Sequence, residues 1–155
     1  MGKVSDALFR GAQPHLASLD KLQGLGVTTI VDLRSESRGR EQERVRAESL
    51  GMHFIVIPVG GFSTPTSAQL AEFFTLLRQA PLQKVFVHCQ FGADRTGVFV
   101  AAYRIAFEHW SSDEALSEML YFGFHPHWHP SMAAFVRSLP LRLRSDAMLK
   151  SALGN

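Results

Sequence analysis

An α/β fold, with a central, mostly parallel β-sheet flanked by α-helices, is predicted by three observations on this chain. Short apolar runs rich in β-branched and aromatic residues recur at Val27 to Leu33 (VTTIVDL), Phe54 to Ile57 (FIVI) and Val85 to Val87 (VFV), as expected of strands buried on both faces. Segments of helical period alternate with them: Leu16, Leu19 and Leu22, then Glu41 to Leu50, then Leu70, Phe73, Phe74 and Leu77. Helix punctuation falls at the joins, where Gly24 and Gly26 end the first helix, Gly51 ends the second, and Thr66 or Ser67 caps the third after Pro65.

The later elements follow the same logic. Gly97 to Phe107 (GVFVAAYRIAF) is apolar on nearly every side, which predicts a helix packed under the sheet rather than on the surface. Ser112, followed by Asp113 and Glu114, reads as the cap of a helix running through Leu120. From Met132 onward one or two closing helices are expected, separated by Pro140. At 155 residues and 46% hydrophobic composition, with no repeat or linker, the chain is expected to be one domain over residues 1–155.

Charge excludes more than it suggests. The formal net charge of +2 and the lack of any run of five like charges give no support to nucleic acid or membrane binding. No segment reaches the roughly 18 apolar residues of a membrane span, and the start MGKVSDALFRGAQP lacks a signal peptide's apolar stretch. The expected location is cytoplasmic, or periplasmic if a leader has been removed. Cys89 is the single cysteine, so no internal disulfide framework exists. A lone cysteine is most often a small buried hydrophobe, and the case for chemistry has to come from its surroundings.

Those surroundings are VFVHCQFGADRTG, running from a buried strand through a tight polar loop into a buried helix. A helix start offers unpaired N–H groups and the positive end of the helix dipole, and Gly92 allows the loop to curl so that successive N–H groups point inward. Five residues separate Cys89 from Arg95, enough for a cup with sulfur at its floor and a guanidinium at its rim. The planar fork of arginine meets two phosphate oxygens at once, which an ammonium does not. The N–H groups, the helix start and Arg95 all favour a negative, nucleophilic sulfur. Thr96 is placed to donate its hydroxyl to that sulfur, and His88 to orient the loop by bonding to backbone.

HCQFGADRTG resembles the H-C-x5-R-[ST] signature loop of the cysteine-dependent protein tyrosine and dual-specificity phosphatase superfamily. LFRGAQPHLASLDKLQGLGVTTIVDLRSE resembles the opening of compact bacterial dual-specificity-like phosphatases, so the similarity covers roughly Leu8 to Leu120. The resemblance implies the protein tyrosine phosphatase-like fold, a phosphocysteine intermediate, and no metal or other cofactor. Carried over to this chain, Cys89 is the nucleophile, Arg95 the phosphate clamp and Thr96 the leaving-group helper. Gln90, Phe91, Gly92, Ala93, Asp94 and Arg95 supply the backbone cradle.

One part of the pattern is missing. Such phosphatases usually carry an acid on the loop after the strand ending near Pro58, and that loop here, PVGGFSTPTS, holds no carboxylate. Asp94, just before Arg95, is the replacement expected to protonate the leaving oxygen, the alternative being that it orients Arg95 or the loop. Asp32 is a second candidate, more consistent with a structural ion pair to Arg34 or another base. His125, His127 and His129 alternate in GFHPHWHP and invite a metal reading, but two prolines interrupt them and no carboxylate or cysteine lies close by, so a domain rim or contact surface including Trp128 fits better.

The expected substrate is a phosphorylated protein, chiefly phosphotyrosine with phosphoserine and phosphothreonine as slower substrates, or a small phosphomonoester. Phe91 and Ala93 stand where lysines would favour an inositol polyphosphate, which weakens a phosphoinositide substrate but leaves a phosphoinositide phosphatase as an alternative. A phosphate-binding pseudo-phosphatase is another, because of the missing loop aspartate.

Overall fold

The strand that ends at the single cysteine occupies the middle of the sheet. The computed structural model describes residues 1–79 and 82–155. Its strands are β1 (Gly2–Lys3), β2 (Leu8–Ala12), β3 (Thr29–Arg34), β4 (His53–Val59) and β5 (Val85–Cys89), laid out in the order β1-β2-β5-β3-β4. All neighbouring pairs are parallel except β1 with β2. Helices α1 (Leu19–Gly24), α2 (Arg40–Ser49), α3 (Ser67–Leu77), α4 (Arg95–Glu108), α5 (Ser112–Tyr121), α6 (Pro130–Ser145) and α7 (Ala147–Ala152) cover its faces.

Strand alternation decides which side chain meets which helices. Leu8, Val31, Leu33, Val85 and Val87 join the larger core with α3 to α7, whereas Phe9, Ile30 and Phe86 face the opposite way, onto Leu19 and Leu22 of α1 and Ala47 of α2. Both sheet faces are thereby covered, which is why β3 and β5 are buried at every residue. Helix α4 is buried from Arg95 through Tyr103, and Phe99 meets Phe73 of α3 edge to face at 5.2 Å. Its uniform apolarity in the sequence reflects that position.

Three details differ from the sequence reading. β1 and β2 lay in a stretch too short and mixed to be read as strands, and β2 is set by pairing with β5, Leu8 opposite Val85 through Ala12 opposite Cys89. The cap of α5 is Ser111, whose hydroxyl accepts from the Glu114 N–H in a capping box, one residue before the expected Ser112. Pro140 does not divide the closing helices: it lies inside α6, and the break falls at Asp146, whose carboxylate accepts from the Met148 and Leu149 N–H groups to start α7. Thr66 caps α3 in a capping box with Gln69, as expected.

Candidate active site

The carboxyl ends of β2, β5 and β3 converge on the loop from Gln90 to Asp94, the crevice where parallel sheets usually bind ligands. Cys89 ends β5 and is 3% exposed, recessed in a cleft of about 580 Å³ that Asp94 and Arg95 also line. Gly92 holds the loop's left-handed turn at φ +79°, and a Cβ there would stand 2.6 Å from the Gly11 carbonyl carbon. Only a glycine lets the loop lie that close on β2.

Anchors from below fix the curl. Arg10, on β2 and 2% exposed, donates from Nη2 to the Gly92 carbonyl at 2.9 Å, and its guanidinium sits 3.9 Å from the Phe122 ring centroid. Burial pushes Arg10 down to about 10, so it remains a cation beneath the loop at neutral pH. The Gln13 N–H reaches the Gln90 carbonyl at 3.3 Å. With the Gly92 and Gln90 carbonyls engaged from outside, the loop's amides are free to face the cleft. His88 is fully buried and turned away from the cleft, with Nδ1 3.2 Å from the Cys89 carbonyl and Nε2 3.0 Å from Glu43 of α2. Its contacts link the end of β5 to α2.

Arg95 opens α4 and is braced on one edge. Its Nη1 and Nη2 donate to the two carboxylate oxygens of Glu36 at 3.0 and 2.9 Å, and Nη1 also donates to the Val59 carbonyl at 3.0 Å. Nε and the second Nη2 hydrogen have no protein acceptor among the described residues, which leaves that edge for an anion. Burial, the largest single influence, works against the charged guanidinium, but the hydrogen bonds to Glu36 and the acidic surroundings of Cys89, Glu36 and Asp32 together raise Arg95 above its ordinary value. In return the Arg95 guanidinium holds the Glu36 carboxyl down to about 2. Glu36 was not among the residues singled out from sequence. It follows Ser35 in an exposed turn, and only the fold brings it to Arg95.

Asp32 is the structural residue anticipated. Buried on β3, it accepts from Arg34 Nε and Nη2 and from Arg40 Nε, each at 3.0 Å. Its burial favours the neutral acid, and the bonds from Arg34, the nearby His88 and the bond from Arg40 together reverse that and keep it below the usual carboxylate range. Asp32, Glu43 and His88 offer potential ligand atoms within 4.8 Å of one another, but both Asp32 oxygens already serve arginines and His88 Nε2 is paired to Glu43. Glu43 Oε1 is buried without a hydrogen-bond partner, but with both Asp32 oxygens and His88 Nε2 committed the cluster reads as a polar core and does not fit a metal ion. Thr96 is fully buried, and its hydroxyl has no hydrogen-bond partner among the described residues, so the expected bond to the Cys89 sulfur is not formed in this structure.

Around the mouth stand Phe62, Phe91 and Trp128, which are 73%, 80% and 69% exposed. Of the three alternating histidines, His125 and His129 line the cleft and His127 does not. His125 leans on Trp128 at 4.6 Å, while His129 is buried between Phe62 and Phe124 with Nε2 3.2 Å from Asp94 Oδ2. The segment is therefore a rim, as one sequence reading had it, but His129's contact with Asp94 was not foreseen.

A recessed thiol, a curled loop and a braced arginine lie together at the carboxyl edge of a parallel sheet, the arrangement a cysteine-and-arginine anion site would need. The chain belongs to the DSP-PTPase phosphatase family: the model described as "DSP-PTPase phosphatase fused to NAD+ Kinase" matches residues 2–126. Dual specificity protein phosphatase TpbA of Pseudomonas aeruginosa is 35% identical over 130 residues, 79% of this chain and 54% of that protein. The chain thus spans about half the length of that relative. Human phosphatidylglycerophosphatase and protein-tyrosine phosphatase 1 is 28% identical over 154 residues, covering 94% of this chain and 75% of that protein. The crystal structure of P. aeruginosa TpbA in complex with pTyr superposes with a TM-score of 0.76 at 24% identity, covering 97% of this chain and 88% of that one. No helix among the described residues is long and apolar enough to cross a membrane.

Proposed function

We propose that the chain hydrolyses phosphate monoesters through a phosphocysteine intermediate, with Cys89 as nucleophile. The observation that carries this reading is the free edge of the Glu36-braced Arg95 beside a recessed Cys89 and a tightly curled loop whose Gly92 and Gln90 carbonyls are engaged by Arg10 and Gln13. The phosphate oxygens lie among the N–H groups from Gln90 to Arg95 and on Arg95, so negative charge that builds on them meets fixed donors. Sulfur attacks phosphorus while the ester oxygen departs with a proton from Asp94, and water then releases phosphate from sulfur. Thr96 lies buried beneath this exchange and serves the departing sulfur in the second step.

An aryl phosphate, phosphotyrosine above all, is the substrate class that fits. Phe62, Phe91 and Trp128 give the mouth flat apolar walls for a ring, and among the described residues Glu36, Asp94 and Arg95 are the acidic and arginine side chains lining it, with no lysine. A polyanionic headgroup would find one cation and two carboxylates there. The complex of TpbA with pTyr supports the same choice. The test is hydrolysis of an aryl phosphate by wild type, Cys89→Ser and Arg95→Ala, with circular dichroism to confirm folding. Activity should fall to background in Cys89→Ser and by on the order of 10³-fold in Arg95→Ala. A folded wild-type protein that binds phosphotyrosine but turns nothing over would make the site a phosphate-binding module instead.

A further inference from the structure

Asp94 occupies the N-cap of α4, where an aspartate normally folds back to accept an N–H of the first helical turn. It makes no such bond. Its Oδ1 is buried without a hydrogen-bond partner, and Oδ2 lies 3.2 Å from His129 Nε2, the one basic side chain within ion-pair distance of it among the described residues. Leaving a carboxylate oxygen unpaired costs stability, so holding this side chain out of its capping position is an expense the local fold does not require. His129 is itself 7% exposed, with Nδ1 buried and unpartnered. Its ring is stacked 4.9 Å from Phe62, on the acid-free loop after β4, and 6.1 Å from Phe124, which fixes the direction of Nε2. Both Asp94 and His129 line the cleft that holds Cys89.

We propose that His129 is a positioning residue for proton transfer: its Nε2, held 3.2 Å from Oδ2, aligns as a donor to that oxygen when substrate is bound and keeps the Asp94 carboxyl turned into the cleft to protonate the leaving oxygen. This rests on the phosphatase reading of the site and on Asp94 as its acid. In the first step the S–P bond forms and the P–O bond to the leaving group breaks, and the freed oxygen takes its proton from the Asp94 carboxyl. In the second, water adds to phosphorus, the S–P bond breaks with its electrons returning to sulfur, and the Asp94 carboxylate takes the proton that water gives up. The imidazole proton stays on Nε2 throughout. The loop that carries no carboxylate contributes through Phe62, as one wall of the slot that aims His129.

The experiment compares two substrates in wild type, His129→Phe and His129→Gln: phenyl phosphate, whose leaving group needs a proton, and a dinitrophenyl phosphate, whose leaving group does not. Phenylalanine keeps the stack between Phe62 and Phe124 but removes the donor, and glutamine restores a donor. His129→Phe should lose about 100-fold on phenyl phosphate and only a few-fold on the dinitro ester, with most of the loss recovered in His129→Gln. In an Asp94→Asn background the His129→Phe substitution should cost little more. Equal losses on both esters, no loss on phenyl phosphate, no recovery in His129→Gln, or a full additional loss on top of Asp94→Asn each overturn the proposal. The leaving-group split must also appear in Asp94→Asn alone, a measurement that stands if His129→Phe does not fold. Wild-type hydrolysis of the dinitro ester that disappears in Cys89→Ser establishes the phosphatase reading independently, so its failure is distinguishable from failure of the role given to His129.

Discussion

Arg95 has two edges, and Glu36 takes one of them. A guanidinium on a free side chain would lose rotamer entropy on meeting phosphate, whereas one already fixed by a bidentate carboxylate and the Val59 carbonyl has lost it during folding. Glu36→Gln keeps the size but leaves a single acceptor and no charge. A loss of about 1.4 kcal/mol in phosphate binding, within the usual net range for one hydrogen bond, raises KM for an aryl phosphate about tenfold with a smaller change in kcat. Steady-state kinetics read this directly, and a rise in kcat/KM would mean that Glu36 competes with substrate for Arg95. At this scale the sequence was informative where chemistry is contiguous: Cys89, Arg95 and the glycine between them lie in one loop, and the spacing alone implied a cup. Glu36 lies 59 positions from Arg95 and Arg10 lies 82 from Gly92, and no local pattern joins either pair. His129 stood in a conspicuous motif, but alternation of histidines suggested metal or surface, and its real partner depends on how the loop before α6 meets the start of α4.

The two elements that build the site are deeply buried, β5 at every residue and α4 from Arg95 through Tyr103. That burial explains why both were legible as apolar runs, and why the loop between them is rigid enough to hold amides in place. α4 depends on packing rather than on amphipathic patterning, and Phe99, fully buried against Phe73, is central to it. Phe99→Ala should cost about 3–5 kcal/mol by urea unfolding, with activity per folded molecule also reduced because the helix start carries Arg95. A loss below about 1 kcal/mol would show that the cavity collapses freely and that α4 is less constrained than its burial indicates. The misread elements share a cause. β2 is a strand because β5 and the Gly92 turn lie against it, and α6 runs through Pro140 because its apolar residues, Val136 and Leu139 among them, are buried in the larger core. In both, tertiary contacts outweighed local signals that read correctly elsewhere.

Across the whole molecule, a buried polar layer joins the sheet edge to the active loop: Asp32 with Arg34 and Arg40, and His88 with Glu43. Asp32 and Glu36 are both held below their ordinary values, so the stability they contribute is fully present above the usual carboxylate range and is lost as pH falls through their depressed folded values. Urea midpoints should therefore be steady near neutrality and decline below about pH 4. Asp32→Asn leaves Arg34 buried without its counter-charge, should cost about 3–5 kcal/mol at neutral pH, and should flatten the acid decline. An unchanged acid limb would place the pH dependence elsewhere. The α/β class and the parallel sheet were legible from alternating runs, whereas this layer was not, because ion pairs between strand, turn and helix depend on register that only the fold supplies.

Everything proposed for the site turns on Cys89 carrying the phosphoryl group. The most direct measurement is acid quenching during turnover of a labelled aryl phosphate, followed by peptide mass spectrometry, with Asp94→Asn used alongside wild type to slow release of the intermediate. A phosphoryl adduct is expected on Cys89 and on no other residue. Turnover with Cys89 unmodified at every quench time, or undiminished hydrolysis by Cys89→Ser, would contradict it.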